Sequence, residues 1–414
     1  MATLTPCFLR IFAVLQLAAC SFPEEPGPLI SAPAEVVRRY PVFVGRAHRS
    51  YTRQEPLYIQ TVLKVNRTLY IGARDDLYRV ELDHVSGDEM FYSKKRTWES
   101  NKNDIRICRM KGKHERPEPH VLFPRAKPAF YTSVGRTDRP ARKPASLMNS
   151  ILQFMKRNEE CRNYIKVLLS HDGGLFVCGT NAFNPLCANY TRDTLELVGE
   201  PISGMARCPY DPKHANVALF AEGSLFTGTV TDFLAIDAVI YRSLGESPAL
   251  RTIKHDSKWF REPYFVSAVE WGPHIYFFFR EMAMEFNYLE KVMVSRVARV
   301  CKGDLGGSQR VLERQWTSFL KARLNCSIPG DSHFYFNLLQ STSPIIRMQG
   351  RDVILGVFST PSNRPPSCPV SNGHERLCCR ALCDEVILAR SPQAHWAGKS
   401  RRGGKGGGDE DAIQ

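Results

Sequence analysis

The chain has 414 residues, of which 43% are apolar and 24% are charged, and it carries a formal net charge of +14. This composition is typical of a globular protein, and it excludes a fibrous chain or one that is disordered throughout. No apolar run approaches the ~18 residues that a membrane-spanning helix requires. Thirteen cysteines are many for a cytosolic protein but too few for a scaffold built mainly from disulfides.

The N-terminus predicts a secreted protein. An apolar stretch over residues 8–19 precedes small residues at 19–21, which is typical of a secretory signal peptide covering residues 1–21. Two alternatives stay open, because residues 17–20 also fit a bacterial lipoprotein cleavage box and the stretch also suits an uncleaved, buried helix. Cleavage leaves eleven cysteines, an odd number, so at least one thiol is free or intermolecular.

Three N-X-S/T triplets are candidate sites of N-glycosylation. They place the acceptor side chains at Asn66, Asn189 and Asn325. One such triplet is weak evidence, but three together with a signal peptide predict a glycosylated extracellular chain.

One recurring pattern predicts an all-β fold. A small polar turn precedes a short run of alternating β-branched and aromatic residues, as in a buried strand. The runs cover residues 69–72, 175–179, 224–228, 274–278 and 352–356. Their second apolar residues include 176, 226 and 276, two spacings of 50 residues. Such self-similarity predicts the blades of a β-propeller, with a two-sheet sandwich as the alternative.

The pattern predicts few helices. Ser308 is a candidate N-cap for a helix that has an apolar face. The residues of that face are Leu312, Trp316, Phe319 and Leu320. We expect this face to pack into the core.

Two segments differ from the rest of the chain. Residues 116–158 hold six prolines, nine lysines or arginines and two acidic residues, so half of the formal charge lies in 43 residues. They predict a disordered basic insert, with a short helix over residues 147–155 at its end. Residues 364–414 hold four cysteines and a glycine-rich run, and they predict a disordered tail.

The motifs argue against an enzyme. The nucleophile-elbow, zinc-protease, phosphate-loop and dinucleotide-binding patterns are absent, so we expect no catalysis and no cofactor. His374, Cys378, Cys379 and Cys383 offer metal ligands, but one C-x₃-C pair does not make a zinc site and we expect no metal. Secretion argues against a nucleic acid as partner of the basic insert and favours contact with an anionic glycosaminoglycan.

Cys178 and Cys187 bracket a turn-rich loop of eight residues. A disulfide between them would staple the end of a hairpin. In the chain-entropy account, closing such a loop stabilises a fold by roughly 2–3 kcal/mol.

Seven long sequence motifs lie at residues 108–114, 178–187, 204–211, 231–243, 255–259, 297–302 and 316–326. These motifs resemble those of the semaphorins, in particular the class 6 transmembrane semaphorins. The resemblance covers residues 41–115 and 159–363. The resemblance implies the sema domain, a β-propeller that has seven blades in the family and roughly five within residues 41–363 of this chain.

The resemblance also implies the function of an extracellular guidance ligand without catalytic activity. Such a ligand binds plexin receptors, of class A by resemblance, and acts in axon guidance and cell migration. The usual outcome is repulsion, and family members form homodimers. Full-length relatives are single-pass plasma-membrane proteins, whereas this sequence predicts a secreted form. Two other functions stay open, a soluble decoy or non-functional fragment and a basic matrix binder that uses residues 116–158.

The same resemblance also implies how cysteines pair. In the family, the equivalents of Cys108 and Cys161 form a disulfide, which in this chain would span the insert. Enlarging that loop from about 10 to about 53 residues costs only about 1.4 kcal/mol of closure entropy, so the bond can persist. The family pairs the equivalents of Cys301 and Cys326 with later cysteines that do not match here, and both are therefore expected to be unpaired relative to the family.

The resemblance places the receptor at the propeller edge around the third and fourth blades, where residues 255–263 join two strand runs. The candidates for plexin contact are Asp256, Ser257, Lys258, Trp259, Arg261 and Glu262. They mix charge with one aromatic side chain, as interface residues do. In the alternative interpretation, Trp259 packs between blades and the charged side chains are merely solvated.

Overall fold

A computed structural model describes residues 40–48, 56–84, 88–113, 160–285, 291–328, 334–348, 350–359 and the backbone of 380–387. The predicted signal peptide at 1–21, the insert at 116–158 with its short helix, and most of the tail at 364–414 lie outside the described residues. The chain divides into two compact units. The N-terminal unit comprises residues 31–204 and 210–212, and the C-terminal unit comprises residues 205–209 and those from 213 onward.

Two antiparallel four-stranded sheets form most of the N-terminal unit. In spatial order, the first sheet contains β2 (Thr61–Val65), β3 (Thr68–Gly72), β4 (Asp76–Glu81) and β6 (Lys94–Thr97). The second contains β10 (Leu197–Ser203), β9 (Leu186–Tyr190), β8 (Gly174–Gly179) and β7 (Ile165–His171). The unit also contains a parallel pair of strands, a 3-10 turn and one helix, namely β1 (Val42–Ala47), β5 (Glu89–Tyr92), Leu82–His84 and α1 (Lys102–Met110).

The C-terminal unit continues the same pattern. One sheet has the order β11 (Val217–Ala221), β12 (Ser224–Val230), β13 (Ala238–Ser243) and β14 (Leu250–Arg251). The next has the order β15 (Tyr264–Trp271), β16 (His274–Met282), β17 (Met293–Cys301) and β18 (Leu320–Arg323). In the last sheet, β21 (Leu338–Thr342), β22 (Ile346–Met348) and β24 (Arg380–Ile387) all pair with β23 (Arg351–Ser359). A short pair, β19 (Ser327–Ile328) and β20 (Phe334–Tyr335), precedes it.

The strand runs read from the sequence coincide with β3, β8, β12, β16 and β23, which all lie in the interior of their sheets. All seven residues of β12 are buried, as are eight of the nine in β16. Tight hairpins precede them, such as Asp172–Gly173 and Glu222–Gly223, where both residues have positive φ. That geometry suits the right-handed twist of paired strands. The predicted all-β fold with about five sheets is confirmed, because the described residues form five four-stranded sheets.

The predicted helix after Ser308 is wrong. Ser308 and Val311 form an isolated bridge instead, and Leu312 has a left-handed backbone with φ of 56°. Only part of the predicted apolar face reaches the core. Trp316 is buried, and its indole N–H donates a hydrogen bond of 2.9 Å to the Ile240 carbonyl oxygen. Phe319 packs against the same cluster, whereas Leu320, at the start of β18, is 44% exposed.

The Asp304 carboxylate holds the irregular connection between β17 and β18 in shape. It accepts backbone N–H hydrogen bonds from Gly306 at 2.8 Å, Thr317 at 2.8 Å and Ser318 at 2.9 Å. It thereby ties the beginning of the connection to its end. A carboxylate that satisfies three backbone donors provides partners that an α-helix would otherwise supply.

The prediction of disorder from residue 364 onward needs a correction. Residues Arg380–Ile387 form β24, which pairs antiparallel with β23. The strand was missed because residues Ala381 to Ile387 do not alternate between polar and apolar side chains, so the sequence carries no periodic strand signal there.

Candidate functional site

The six residues predicted to contact a receptor lie between β14 and β15, in a connection that covers residues 252–263 and is called here the β14–β15 connection. Ser257 and Lys258 are exposed. The partly buried members are Asp256, Trp259, Arg261 and Glu262. The structure thus divides the predicted group into an outward-facing pair and four residues that also pack inward.

Asp256 folds the connection into a compact turn. Its carboxylate accepts a hydrogen bond of 2.8 Å from the Lys258 N–H. Its main-chain carbonyl oxygen accepts bonds from the N–H groups of Trp259 at 3.0 Å and Phe260 at 3.2 Å. Aspartate commonly forms turns by binding the backbone two residues further on. Asp256 therefore holds the backbone of Lys258 at the exposed tip.

Trp259 has an internal packing partner. Its ring stacks on that of Phe319 with the centroids 4.4 Å apart. The indole also packs against the core cluster that contains Phe265 and Phe279, and the neighbouring Phe260 is buried in that cluster. Stacked aromatic pairs contribute about 0.5–1.5 kcal/mol beyond their area burial. The stability of the unit therefore depends on Trp259.

A buried cluster of charges around Glu281 lies under the connection. The Glu281 carboxylate accepts a hydrogen bond of 3.0 Å from the Arg261 N–H and forms ion pairs with Lys321 and Arg296. The Lys321 ammonium also donates to the Trp259 carbonyl oxygen at 2.9 Å. Burial lowers the pKa of Lys321, and the charge of Glu281 opposes that shift. Buried ions require partners of fixed geometry, so this cluster fixes the backbone of residues 259–261.

Asp237 joins a second loop to the connection. Its carboxylate accepts hydrogen bonds from the Thr231 hydroxyl and the Arg251 guanidinium, both at 2.6 Å, and from the His255 N–H at 3.3 Å. Burial acts to raise the pKa of Asp237, but these donors outweigh it and lower the pKa overall. The loop between β12 and β13, residues 231–237, therefore lies beside the β14–β15 connection.

This second loop carries two exposed aliphatic side chains. Leu234 is 68% exposed and Ile236 is 61% exposed. The Asp232 carboxylate holds the loop in shape by accepting hydrogen bonds from the N–H groups of Ile236 at 3.1 Å and Asp237 at 2.7 Å. Exposed aliphatic residues on a well-ordered loop are available for contact with another molecule.

The two loops together form what is called here the contact surface, defined by Leu234, Ile236, Ser257 and Lys258. It combines aliphatic side chains with polar ones on two loops of the C-terminal unit that a hydrogen bond between the His255 N–H and Asp237 joins. Protein interfaces likewise combine apolar and polar residues. The arrangement suits binding of a protein partner.

The two predicted disulfides are present in the N-terminal unit. The bond between Cys108 and Cys161 joins the last turn of α1 to the segment before β7 across 53 positions, with the Cα atoms 5.9 Å apart. Cys178 and Cys187 face each other in the register of β8 and β9. This second bond therefore links two paired strands, as the loop between them predicted.

Two further cysteines were expected to be unpaired relative to the family. Cys326 is disulfide-bonded, so for this residue the expectation is wrong. Cys301 is a free thiol at the end of β17. The expectation for Cys326 relied on the sequence context of the family's cysteines, which does not determine how a cysteine pairs in the folded chain.

The three candidate glycosylation sites are accessible. The side chains of Asn66, Asn189 and Asn325 are all exposed. Asn66 lies at the tip of the β2–β3 hairpin with a φ of 54°, a conformation that asparagine tolerates well. Exposure is required for an attached glycan, so each site stays a candidate.

No family model matches the chain. Curated relatives match it closely. It is 60% identical to mouse semaphorin-6B over 379 residues, which make up 91% of this chain and 38% of that protein. It is 54% identical to human semaphorin-6A over 390 residues, or 94% of this chain and 34% of that protein. The chain belongs to the semaphorin family.

Solved semaphorin structures show the same fold. A Drosophila semaphorin 1b, in complex with Drosophila plexin A, matches with 33% identity and a TM-score of 0.58 over 74% of this chain and 50% of the matched chain. Drosophila semaphorin 1a matches with 36% identity and a TM-score of 0.57 over 76% and 52%. The five sheets are therefore blades of the β-propeller of the sema domain.

This semaphorin chain spans about two fifths of the length of the curated semaphorin-6B relatives that it matches. None of the helices in the described residues is long and apolar enough to span a membrane.

Sequence reasoning missed several functional candidates of this semaphorin chain. Leu234 and Ile236 were not singled out, although two aliphatic residues between Asp232 and Asp237 at a strand end are a recognisable loop signal. Glu281 and Lys321 were missed because they are 40 positions apart and meet only in the folded sheet. No local pattern would have paired them.

Proposed function

We propose that this chain is an extracellular semaphorin ligand that binds a plexin receptor, of class A by resemblance, and takes part in axon guidance and cell migration as a repellent. It acts by binding, without catalysis. The observation that carries the proposal is the contact surface, where exposed Leu234 and Ile236 lie on a loop that Asp237 joins to the connection with exposed Ser257 and Lys258. The semaphorin in one matched structure is itself bound to a plexin, which supports this kind of partner.

The buried groups behind the contact surface support the proposal. Asp237 and the Glu281–Lys321 pair fix the two loops from below. A surface that is already ordered loses less conformational entropy on binding, which favours affinity. The Trp259 side chain has a stabilising role in this proposal, whereas Lys258 and Ser257 are its polar contacts.

The test is binding of the secreted chain to an immobilised plexin ectodomain, measured by surface plasmon resonance. In the variant, Leu234→Asp and Ile236→Asp place two charges at the apolar centre. We expect the affinity to fall by roughly 100-fold, because desolvating an unpaired charge in an interface costs several kcal/mol. The matched control carries Leu197→Asp and Val198→Asp, which change two exposed aliphatic residues of β10 in the other unit.

Equal affinities for the two double variants would exclude the contact surface as the receptor site. The absence of detectable plexin binding by the parent chain, if it is secreted and folded, would favour a fragment without receptor function. Binding without a cellular response would favour the decoy. Homodimer formation is a further part of the proposal and is tested by sedimentation of the secreted chain.

A further inference from the structure

The described part of the N-terminal unit has a concentration of positive charge in one short stretch. Residues 94–111 contain seven lysines or arginines and only two acidic residues. They cover β6 and α1, and six of the seven cations lie in these two elements. β6 is an edge strand whose four residues are all exposed.

The helix presents its cations together. Lys102, Arg106 and Arg109 follow the i, i+4, i+7 spacing that aligns side chains on one helical face. All three are exposed, and they span about 10 Å along the axis at 1.5 Å per residue. The acidic residue of the helix, Asp104, lies on another face, where it accepts hydrogen bonds from the side-chain amides of Asn181 at 2.9 Å and Asn184 at 3.1 Å.

The helix is firmly held in this orientation. The Asn101 side chain caps its first turn by accepting the Asn103 N–H at 2.8 Å. At the other end, Cys108 is buried and bonded to Cys161. The backbone that carries the basic face is thus anchored at both ends of the helix.

We propose that the basic face of α1, made of Lys102, Arg106 and Arg109, binds a linear sulfated polysaccharide, and that the exposed Lys94 and Arg96 of the preceding edge strand β6 extend this site. The charge of such a polymer is complementary to a row of cations. The proposal is independent of the receptor, because the contact surface belongs to the other unit.

Other polyanions fit the face less well. Single-stranded nucleic acid is bound on exposed aromatic platforms, whereas the aromatic residue of this stretch, Trp98, is half-buried against Tyr190 with ring centroids 5.9 Å apart. Two disulfides indicate an oxidising compartment. Anionic lipids are concentrated in the cytoplasmic leaflet of the membrane, and a basic face in an oxidising compartment is not in contact with that leaflet.

The test measures binding of the full secreted chain to a heparin surface over a range of salt concentrations. The variant carries Lys102→Gln, Arg106→Gln and Arg109→Gln, and we expect roughly tenfold weaker binding near physiological salt, since exposed charge contacts are individually modest. The matched control carries Arg310→Gln, Arg347→Gln and Arg351→Gln, which remove the same charge from exposed sites of the other unit. Thermal unfolding verifies that both variants are folded.

Unchanged heparin binding of the helix variant would overturn the proposal, as would an equal loss in the control. Deletion of residues 116–158 distinguishes binding by the helix from binding by the insert. If the proposal holds, the deleted chain retains substantial heparin binding, and complete loss of heparin binding by this chain overturns the proposal. Tighter binding to a single-stranded oligonucleotide or to phosphatidylserine vesicles than to heparin would overturn the choice of a sulfated polysaccharide.

Discussion

The Lys321 ammonium donates a hydrogen bond of 2.9 Å to the carbonyl oxygen of Trp259, while it also forms an ion pair with the buried carboxylate of Glu281. The Lys321 side chain therefore links β18 to the turn that carries the predicted receptor contacts. Because the link runs through the backbone, it fixes the path of the turn whichever side chains the turn carries.

The first prediction concerns that buried pair. Glu281→Gln keeps the shape of the side chain but leaves Lys321 and Arg296 without their shared buried anion. We expect a loss of about 3–5 kcal/mol in the free energy of unfolding, measured with urea, because breaking a buried pair leaves uncompensated charge. Lys302→Met is the control, since Lys302 pairs with the more exposed Glu222 and Glu270 and should cost less than about 1 kcal/mol. Similar losses in both variants would contradict the prediction.

The second prediction separates packing from binding in the β14–β15 connection. Trp259→Ala removes the stacking on Phe319 and should lower the free energy of unfolding by about 2–4 kcal/mol. Lys258→Ala changes an exposed side chain and should leave stability within about 0.5 kcal/mol, while it weakens receptor binding. Denaturant titration and plexin binding of each variant provide the two readouts. A stable Trp259→Ala variant would show that the indole does not support the core.

The third prediction compares the two disulfides. In the chain-entropy account, a bond that closes 53 positions contributes about 4 kcal/mol and one that closes 9 contributes about 2.6 kcal/mol. Cys108→Ser with Cys161→Ser should therefore destabilise the fold more than Cys178→Ser with Cys187→Ser. Thermal unfolding of the two double variants in parallel tests the order, and the reverse order would show that unfolded-chain entropy does not dominate.

The fourth prediction concerns pH. The donors around Asp237 lower its pKa in the folded state although burial opposes them, so ionised Asp237 stabilises the fold above the unfolded-state pKa of about 3.9. That contribution is lost as the pH falls through the lowered folded-state pKa. Asp237→Asn should thus be less stable than the parent chain at pH 7, and the difference should narrow toward pH 2.

Urea unfolding at pH 7, 4 and 2 measures this narrowing. Asp193→Asn is the control, because the Asp193 side chain is 90% exposed and should have little effect at any of these values. A difference between Asp237→Asn and the parent chain that is constant with pH would show that the lost hydrogen bonds, and not the charge, are responsible.

The interior strands were predictable from sequence, and the edge strands were not. An interior strand such as β12 is covered on both faces, so its residues are uniformly apolar or small and the run stands out. β10 is exposed along its whole length and contains Pro201 and a left-handed Gly199. Those residues protect an edge against further pairing, and they also remove the periodic signal from which a strand is recognised.

The candidate site was only partly predictable for a related reason. The motif at residues 255–259 identified the connection, and the exposed Ser257 and Lys258 lie within it. The positions of the remaining groups depend on tertiary contacts, such as the pairing of β16 with β17 that brings Glu281 close to Arg296. The apparent helix at Ser308 failed because core packing of Trp316 imitated an amphipathic spacing.

The Cys108–Cys161 bond has a consequence for processing of the chain. Its two cysteines flank every residue from 109 to 160, and their Cα atoms are 5.9 Å apart. A protease that cuts anywhere between them breaks the polypeptide without separating its halves. A nicked molecule would migrate close to the intact chain on a non-reducing gel and divide into two bands only after reduction, so cleavage in this stretch would be missed by electrophoresis without a reductant.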